Sequence, residues 1–236
     1  MSKIECALYN SLKLISFGGF LWTQIANALS SFEVNRTRRE EQMNSKRLRK
    51  MVVIAMLGSI ATVLMQFNFP LPALPGFLKF DFGEVPAVIA IMTMGPIAGI
   101  TVEVIKNILH WFLSGSPTGV PVGEIANLAT GLLFILPIYF IFNKFRSSKG
   151  LTAGLLAGTI SMAVGMSLLN YVVFLPMYTY FLNMPPVTGD ALYAMIVLGI
   201  LPFNIIKGVI IMTISLLLYN RMKVWIEQQR VKLMPE

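Results

Sequence analysis

The 236-residue sequence is poor in the residues that build disulfides, metal centres and charged soluble surfaces. Cys6 is its only cysteine and His110 its only histidine. A lone cysteine excludes an internal disulfide and a thiolate metal cluster, and a lone histidine excludes a multi-histidine metal site. Charged residues make up only 13% of the chain, whereas soluble domains carry roughly 25%. The composition therefore argues against a soluble globular domain.

Three sequence motifs typical of enzymes are also missing. The chain holds no G-x-x-x-x-G-K-S/T phosphate loop, no G-x-S-x-G nucleophile turn and no H-E-x-x-H metal motif. An enzyme is therefore not indicated, and no cofactor is expected. If ATP drives this protein, the ATP has to be bound by another subunit.

Apolar residues dominate what the sequence does contain. They make up 56% of the chain, and several apolar runs reach the roughly 20 residues that cross a bilayer as a helix. We predict an all-α integral membrane bundle of six transmembrane helices, at 51–67, 82–94, 96–113, 121–142, 151–175 and 202–220. The second is too short to cross comfortably, and Gly95-Pro96 ends it because proline disrupts a helix. Pro202 is expected in the first turn of the last helix, where its missing N–H costs nothing.

The charges flanking these spans predict the orientation of the bundle. Cations cluster at 45–50, at 143–150 and at 221–232, whereas the loops at 114–122 and 183–190 carry none. Because cytoplasmic loops are enriched in Lys and Arg, both termini are expected in the cytoplasm of a multi-pass cell-membrane protein. The net charge of +8 is thus explained by basic segments that flank the membrane spans, and no nucleic acid partner is expected.

The first 42 residues fit this scheme less well. The stretch at 15–32 is moderately apolar but contains Gln, Asn and Ser, and its small-residue cleavage pattern is weak for a signal peptide. Met43 opens MNSKRLRKMVV, which is a natural start for a membrane protein with a cytoplasmic N-terminus. An interfacial amphipathic helix is the alternative. We therefore divide the chain into an N-terminal extension, 1–42, and a six-helix membrane domain, 43–236.

Polar groups inside the spans are functional candidates because burying them in a bilayer is costly. Counting about 1.5 Å per residue places Lys106 near mid-membrane and His110 about a turn further out. Most other groups fall in the outer half, beneath the first outer loop: Glu124, Asn127, Asn170, Asn204 and Lys207. This convergence predicts an outward-facing pocket.

Several of these residues also fit purely structural roles. Glu103, Lys106 and Asn107 are spaced i, i+3 and i+4, so Glu103 and Lys106 can form an ion pair on one helix. Asn170 and Asn204 can bridge helices, and His110 can serve helix packing. Lys207 has no acid within four residues on its own helix. Its position therefore favours a binding role.

The loop FNFPLPALPGFLKFDFGEVP, residues 67–86, is unusual for a connector. It contains five phenylalanines, four prolines and three charged residues. An interfacial aromatic belt would explain the phenylalanines, but not the charges of Lys79, Asp81 and Glu84. A flat apolar ligand with a few polar edges suits both features. We expect this long outer loop to act as a lid.

The motifs FPLPALPGFLKFDFGEVPAVI (69–89) and MGPIAGITVEVIKNILHWFLSG (94–115) resemble the riboflavin-specific substrate-binding (S) subunits of energy-coupling factor (ECF) transporters. The similarity runs from about Met43 to the C-terminus. It implies a six-helix subunit that captures riboflavin from outside the cell with its first loop as lid. It also implies partners: a transmembrane coupling subunit and two ATPase subunits, which alone bind ATP.

The resemblance also assigns residues. The helix-five asparagine of the family corresponds to Asn170, and its Asn-x-x-Lys pair in helix six to Asn204 and Lys207. Its small-residue contact with the coupling subunit corresponds to Ala55 and Ser59. DFGE stands here where the family has DFSD-like runs. The expected substrate-binding residues are Leu78, Lys79, Phe80, Asp81, Glu84, His110, Asn127, Asn170, Asn204 and Lys207.

Three alternatives remain open from the sequence. The first is an S subunit for another vitamin, such as biotin or a thiamin precursor. The second is a stand-alone transporter with Glu103, Lys106 and His110 as a proton relay. The third is a structural membrane protein without a ligand, which the convergent polar groups disfavour.

Overall fold

The computed structural model describes residues 3–233 except 73, 117, 184 and 186, and almost all of this part is helical. The helices are α1 (Lys3–Gln66), α2 (Glu84–Met94), α3 (Pro96–Ser114), α4 (Val122–Phe145), α5 (Ser148–Leu169), α6 (Leu175–Leu182), α7 (Asp190–Ala194) and α8 (Leu201–Leu233). Two π-helical segments, Asn170–Phe174 and Met195–Ile200, join α5 to α6 and α7 to α8. The strands β1 (Phe69–Pro70) and β2 (Lys79–Phe80) form a two-stranded sheet.

The chain divides into two units, Met1–Leu48 and Arg49–Glu236. The described part of the first unit is the N-terminal portion of α1, whose surface carries an Arg36–Glu40 ion pair of 3.1 Å. The side chains of residues 3–29 lie outside the described ones, so the amphipathic interpretation of 15–32 stays a prediction. The predicted division at residue 42 also stays a prediction.

Five helical stretches of the described chain are long and apolar enough to cross a membrane. They are Met43–Gln66, Pro96–Ser114, Val122–Phe145, Ser148–Leu182 and Asp190–Leu233. The predicted second span corresponds to α2, which has only eleven residues. Ten of those eleven residues are buried. The all-α membrane class is thus confirmed.

The break between α2 and α3 lies where the sequence predicts it. Gly95 has a φ of 89°, a conformation that glycine adopts without steric cost. Pro96 then occupies the start of α3, where its missing N–H has no intrahelical acceptor to satisfy. The two helices can therefore fold back on one another at this point.

Close glycine contacts join α4 to α5. Gly150, Gly154 and Gly158 are spaced four apart and are all buried. A Cβ on Gly154 would lie 3.1 Å from the Cα of Ile138, and one on Gly158 would lie 2.5 Å from the Phe134 carbonyl oxygen. Small residues at this spacing let two membrane helices approach closely. These helices form the tightly packed side of the second unit.

Two predicted helix limits are wrong. The last helical stretch begins at Asp190 and not at Pro202, and the fifth continues past 175 to Leu182. In both cases a π-helical segment ends two residues before a proline, Pro176 or Pro202. Proline removes one N–H and crowds the carbonyl four residues earlier. The wider π turn relieves this conflict, so the helix passes through the proline.

Candidate functional site

The loop between α1 and α2 is folded into a small hairpin. Phe69 pairs with Phe80 and Pro70 with Lys79 in antiparallel register. The Phe80 ring lies 5.5 Å from the Phe69 ring and 5.0 Å from the Phe82 ring, measured between centroids. Phe80 is almost fully buried. The aromatic residues therefore form a compact apolar layer.

The hairpin loop contacts three separate helical segments. Pro75 lies over Gly199, where an added Cβ would come within 2.9 Å of the proline ring. The Phe77 ring lies 6.2 Å from that of Tyr178 on α6. Asp81 reaches α8, with its Oδ2 atom 3.1 Å from Nζ of Lys207. The loop is therefore fixed across the polar interior that these segments surround.

Beneath the loop lies a buried group of ionisable side chains, which we call the charge cluster: Asp81, Glu84, Glu103, Lys106 and Lys207. Each is at most 2% exposed. Lys207 Nζ lies 2.8 Å from Oε1 of Glu84, and Lys106 Nζ lies 3.5 Å from the same oxygen. Lys106 is also 2.7 Å from Glu103. Because unpaired charges are very costly in such an interior, these contacts are needed to keep the residues there.

The cluster confirms the predicted ion pair between Glu103 and Lys106, and it shows acidic partners for Lys207 that the sequence did not indicate. The spacing of Glu103 and Lys106 predicted their ion pair on α3, which is formed. Lys207 has no acidic partner within four residues on its own helix, but Asp81 and Glu84 approach it from the loop and from α2. Its ammonium group is therefore paired with two carboxylates, which leaves one of its three N–H donors for a ligand.

Asp81, in the loop, is held in its ionised form by its surroundings. Burial alone would raise the pKa of its carboxyl group, but the attraction of Lys207 and Lys106 outweighs this effect. The backbone N–H of Gly83 also donates to Asp81 Oδ1 at 2.8 Å. Asn127 Nδ2 donates to Oδ2 at 3.4 Å. The two lysines and the Gly83 N–H together lower the pKa of Asp81 below its ordinary value.

Several buried oxygen atoms around the cluster have no hydrogen-bond partner among the described residues. They include Oε2 of Glu84, Oε1 of Glu103, Oδ1 of Asn107, Oδ1 of Asn127 and Oε2 of Glu124. Leaving a buried acceptor unpaired costs free energy, so such atoms are unusual in a folded interior. Their arrangement suits a ligand that presents N–H or O–H donors.

Asn170 and Asn204 both lie beside the π segments. Asn170 opens the first, and Asn204 follows the second. Each side-chain amide donates to the carbonyl four residues earlier, of Met166 and Ile200 respectively, at 2.8 Å. Asn204 lies in the first turn of α8, but both helical stretches extend further than predicted, so each asparagine lies further from the end of its stretch than expected.

His110 lies at the edge of this region. Its Nδ1 atom is 3.4 Å from Glu124 Oε1, and its Nε2 atom is 3.4 Å from the Ser114 hydroxyl. Ser114 in turn donates to the side-chain oxygen of Gln66 on α1 at 3.0 Å. His110 thus connects the ends of α1, α3 and α4.

Two of the sequence-predicted loop residues lie outside the charge cluster. Lys79 is exposed, and Leu78 is half-buried against the apolar core. Sequence reasoning missed Tyr178 and Gly199, which the loop contacts. A glycine shortly before Leu-Pro is the only signal that Gly199 offered. Tyr178 resembled any other interfacial aromatic residue.

Two surface grooves lie away from the predicted site. One of about 480 Å³ runs along α4 and α5 and is lined by apolar side chains such as Leu133, Leu136 and Phe140. The other, of about 300 Å³, is bordered by Tyr171, Tyr180 and Leu192. None of the residues proposed to bind substrate lines either groove.

Comparison with known proteins shows clear relatives. The model of the family "ECF transporter, substrate-specific component" matches residues 49–219. The riboflavin transporter FmnP of Bacillus subtilis (strain 168) is 54% identical over 184 residues, which cover 78% of this chain and 97% of the relative. The riboflavin transporter RibU of Staphylococcus aureus (strain TCH60) is 41% identical and covers 77% of this chain and 94% of its own length.

A solved structure shows the same architecture. It is that of the S component of a bacterial ECF transporter, which is 40% identical to this chain and superposes with a TM-score of 0.66. The match covers 76% of this chain and 98% of the solved one. The chain is thus a multi-pass membrane protein and a transporter component, not an enzyme. It belongs to the substrate-specific components of ECF transporters.

Proposed function

We propose that this chain is a riboflavin-binding S component that captures the vitamin outside the cell and delivers it through an ATP-driven ECF importer. The observation that carries the proposal is the aromatic hairpin held over the buried charge cluster by Asp81 and Lys207. The relatives named as riboflavin transporters support the choice of ligand.

The chemistry of riboflavin fits these residues. Its isoalloxazine ring is flat and largely apolar, which suits the phenylalanines of the hairpin. The ring edge carries an imide N–H and carbonyl oxygens, and the ribityl tail carries hydroxyl groups. The free acceptor atoms of Glu84 and Asn127 can accept from such donors, while Lys207 and Asn204 can donate to the carbonyls. Reversible hydrogen bonding and packing suffice, because no covalent step is required.

The distribution of charge supports the proposed topology. We propose that α2 serves as the sixth, short membrane element, that both termini are cytoplasmic and that loop 67–86 faces outward. The basic segments 143–150 and 221–232 then lie inside. Arg230 donates to Asn143 at 2.5 Å, which places parts of both basic segments together.

One face of α1 suits a partner subunit. Ala55 and Ser59 are exposed, and the Ser59 hydroxyl donates to the Ala55 carbonyl at 2.9 Å, which satisfies its polar group within the helix. Small residues at this spacing permit close approach of another membrane helix. We propose that the transmembrane coupling subunit binds here and that two ATPase subunits, joined through it, supply the energy.

The first test is the absorption spectrum of the chain, expressed in a flavin-producing host and purified alone in detergent. We expect a yellow protein that releases riboflavin, identified by mass, on denaturation. A colourless protein that also fails to quench added riboflavin fluorescence would refute the proposal. Binding of biotin or a thiamin precursor to that protein would then indicate an S component for another vitamin.

The residue assignment needs its own test. Asn204→Ala and Lys207→Met should each weaken riboflavin binding, because both groups lie in the proposed pocket. Lys223→Met is the matched control, since Lys223 is exposed on the same helix as Lys207 and is not among the expected substrate-binding residues. Unchanged affinity in both pocket variants would disprove the site. Uptake that persists without ATPase subunits, and stops when the proton gradient collapses, would favour a stand-alone transporter.

A further inference from the structure

Lys106 belongs to the charge cluster but is not among the expected substrate-binding residues. It is completely inaccessible to solvent, and it lies on α3 beneath the start of α2. Its ammonium group contacts two carboxylates, Glu103 at 2.7 Å and Glu84 at 3.5 Å. The contact with Glu103 lies within α3, whereas the contact with Glu84 joins α3 to α2.

Glu84 connects two lysines from different helices. Its Oε1 atom lies 2.8 Å from Lys207 on α8 and 3.5 Å from Lys106 on α3. Its Oε2 atom has no partner among the described residues. Because a carboxylate between two cations is fixed from both sides, Lys106 limits where Glu84 can lie. Glu84 in turn limits where the Lys207 ammonium group can lie.

The stem of Lys106 also supports the end of the loop. A Cβ added to Gly83 would lie 2.8 Å from Cδ of Lys106 and 2.9 Å from Oδ1 of Asp81. Gly83 therefore packs directly on the Lys106 side chain, and Asp81 lies beside it. The same lysine thus contacts the loop through its stem and Glu84 through its charge.

We propose that Lys106 is a positioning residue of the substrate site, which acts through Glu84 on Lys207 and through Gly83 on the loop. The proposal rests on the proposed function, since it concerns the same site. Lys106 itself does not touch the substrate. If Lys106 had a purely structural role, it would only neutralise Glu103 and would not affect substrate binding.

A double variant separates these two roles. Lys106→Met leaves the buried Glu103 carboxylate unpaired, whereas Lys106→Met with Glu103→Gln removes both charges of the pair. We expect the double variant to recover the thermal unfolding midpoint but to bind riboflavin about tenfold more weakly than Glu103→Gln alone. If the double variant recovers both quantities, Lys106 serves only its local pair and the proposal is wrong.

Two further variants keep the positive charge. Lys106→Arg can still contact Glu84, so it should retain more affinity than Lys106→Met. Gly83→Ala leaves every charge in place but crowds the Lys106 stem and the Asp81 carboxylate, and it should also weaken binding. Normal affinity in Gly83→Ala would contradict the contact through the stem, even if Lys106→Met proves unable to fold.

A measurement without ligand keeps this test independent of the proposed function. Trypsin can cleave after the exposed Lys79, and the rate depends on how firmly the loop is held. We expect faster cleavage at Lys79, identified by mass, in the double variant than in Glu103→Gln. Equal rates would overturn the positioning role, whereas a wild-type chain that fails to bind riboflavin would refute only the proposed function.

Discussion

Asp81 and Lys207 stand 126 positions apart in the sequence, yet their carboxylate and ammonium groups lie 3.1 Å apart in the interior. One belongs to the loop and the other to the last helix. This ion pair is one of the contacts that hold the loop on the helical body. Its strength therefore bears on how easily the loop opens.

Replacing Asp81 should release the loop. Asp81→Asn keeps the size of the side chain but removes the charge that pairs with Lys207. Breaking a buried ion pair by removing one partner costs about 3–5 kcal/mol in general, although Lys207 keeps Glu84 here and the cost should be lower. We expect riboflavin to dissociate several-fold faster, measured by the recovery of flavin fluorescence. Asp190→Asn, at an exposed acid, is the control and should leave the rate unchanged.

Acid should weaken the same contact in a defined pH range. The pKa of Asp81 is lower in the folded protein than in the unfolded chain, where it is about 3.9. The resulting stabilisation is complete above about pH 4 and is lost as the pH falls through the lower, folded-state value. The difference in unfolding midpoint between wild type and Asp81→Asn should therefore shrink below pH 4. A constant difference from pH 7 to pH 3 would show that Asp81 is not the titrating group.

The contact between Pro75 and Gly199 should also be required for loop closure. A Cβ on Gly199 would lie 2.9 Å from the Pro75 ring, and this ring has little freedom to move away. We expect Gly199→Ala to speed tryptic cleavage at Lys79 and to weaken riboflavin binding. Gly76→Ala is the matched control, because nothing lies within 4 Å of its added Cβ. Similar effects of both changes would argue against this contact.

Stability should depend on a different part of the molecule. Gly158→Ala would place a methyl group 2.5 Å from the Phe134 carbonyl oxygen, a backbone atom that cannot rotate away. The overpacking should cost about 1–3 kcal/mol and outweigh alanine's helix-propensity advantage of up to 1 kcal/mol. We expect a lower unfolding midpoint with little change in the affinity of the folded fraction. Ala153→Val, at an exposed position on the same helix, should leave the midpoint nearly unchanged.

The features that the sequence predicted correctly depend on neighbouring residues. Gly95-Pro96 ends α2 because a local backbone rule applies there, and Glu103 pairs with Lys106 because one helix sets their spacing. The all-α class followed from the long apolar runs. In each case the structure follows from a pattern of neighbouring residues.

The features that it missed depend on the tertiary structure. The partners of Lys207 come from 126 and 123 positions away, so no local pattern could indicate them. Pro202 lies in the first turn of α8, but it does not begin the helical stretch, because a π turn before it lets the helix continue back to Asp190. Asn170 and Asn204 were then placed too near the helix ends. The contact of the loop with Gly199 became visible only once both segments were folded.

The second π segment makes the chain tolerant of a deletion at one place and sensitive to it a few residues later. A π turn holds one residue more than the α-helix requires, and each residue of an α-helix corresponds to a rotation of about 100°. Deleting a single residue between Met195 and Ile200 would remove this extra residue and leave an ordinary α-helix, so Lys207 should still face Glu84. Deleting Ile205 instead, in the regular part of α8, would turn Lys207 away from Glu84 because no extra residue is present there. Binding should therefore survive the first deletion and be lost with the second.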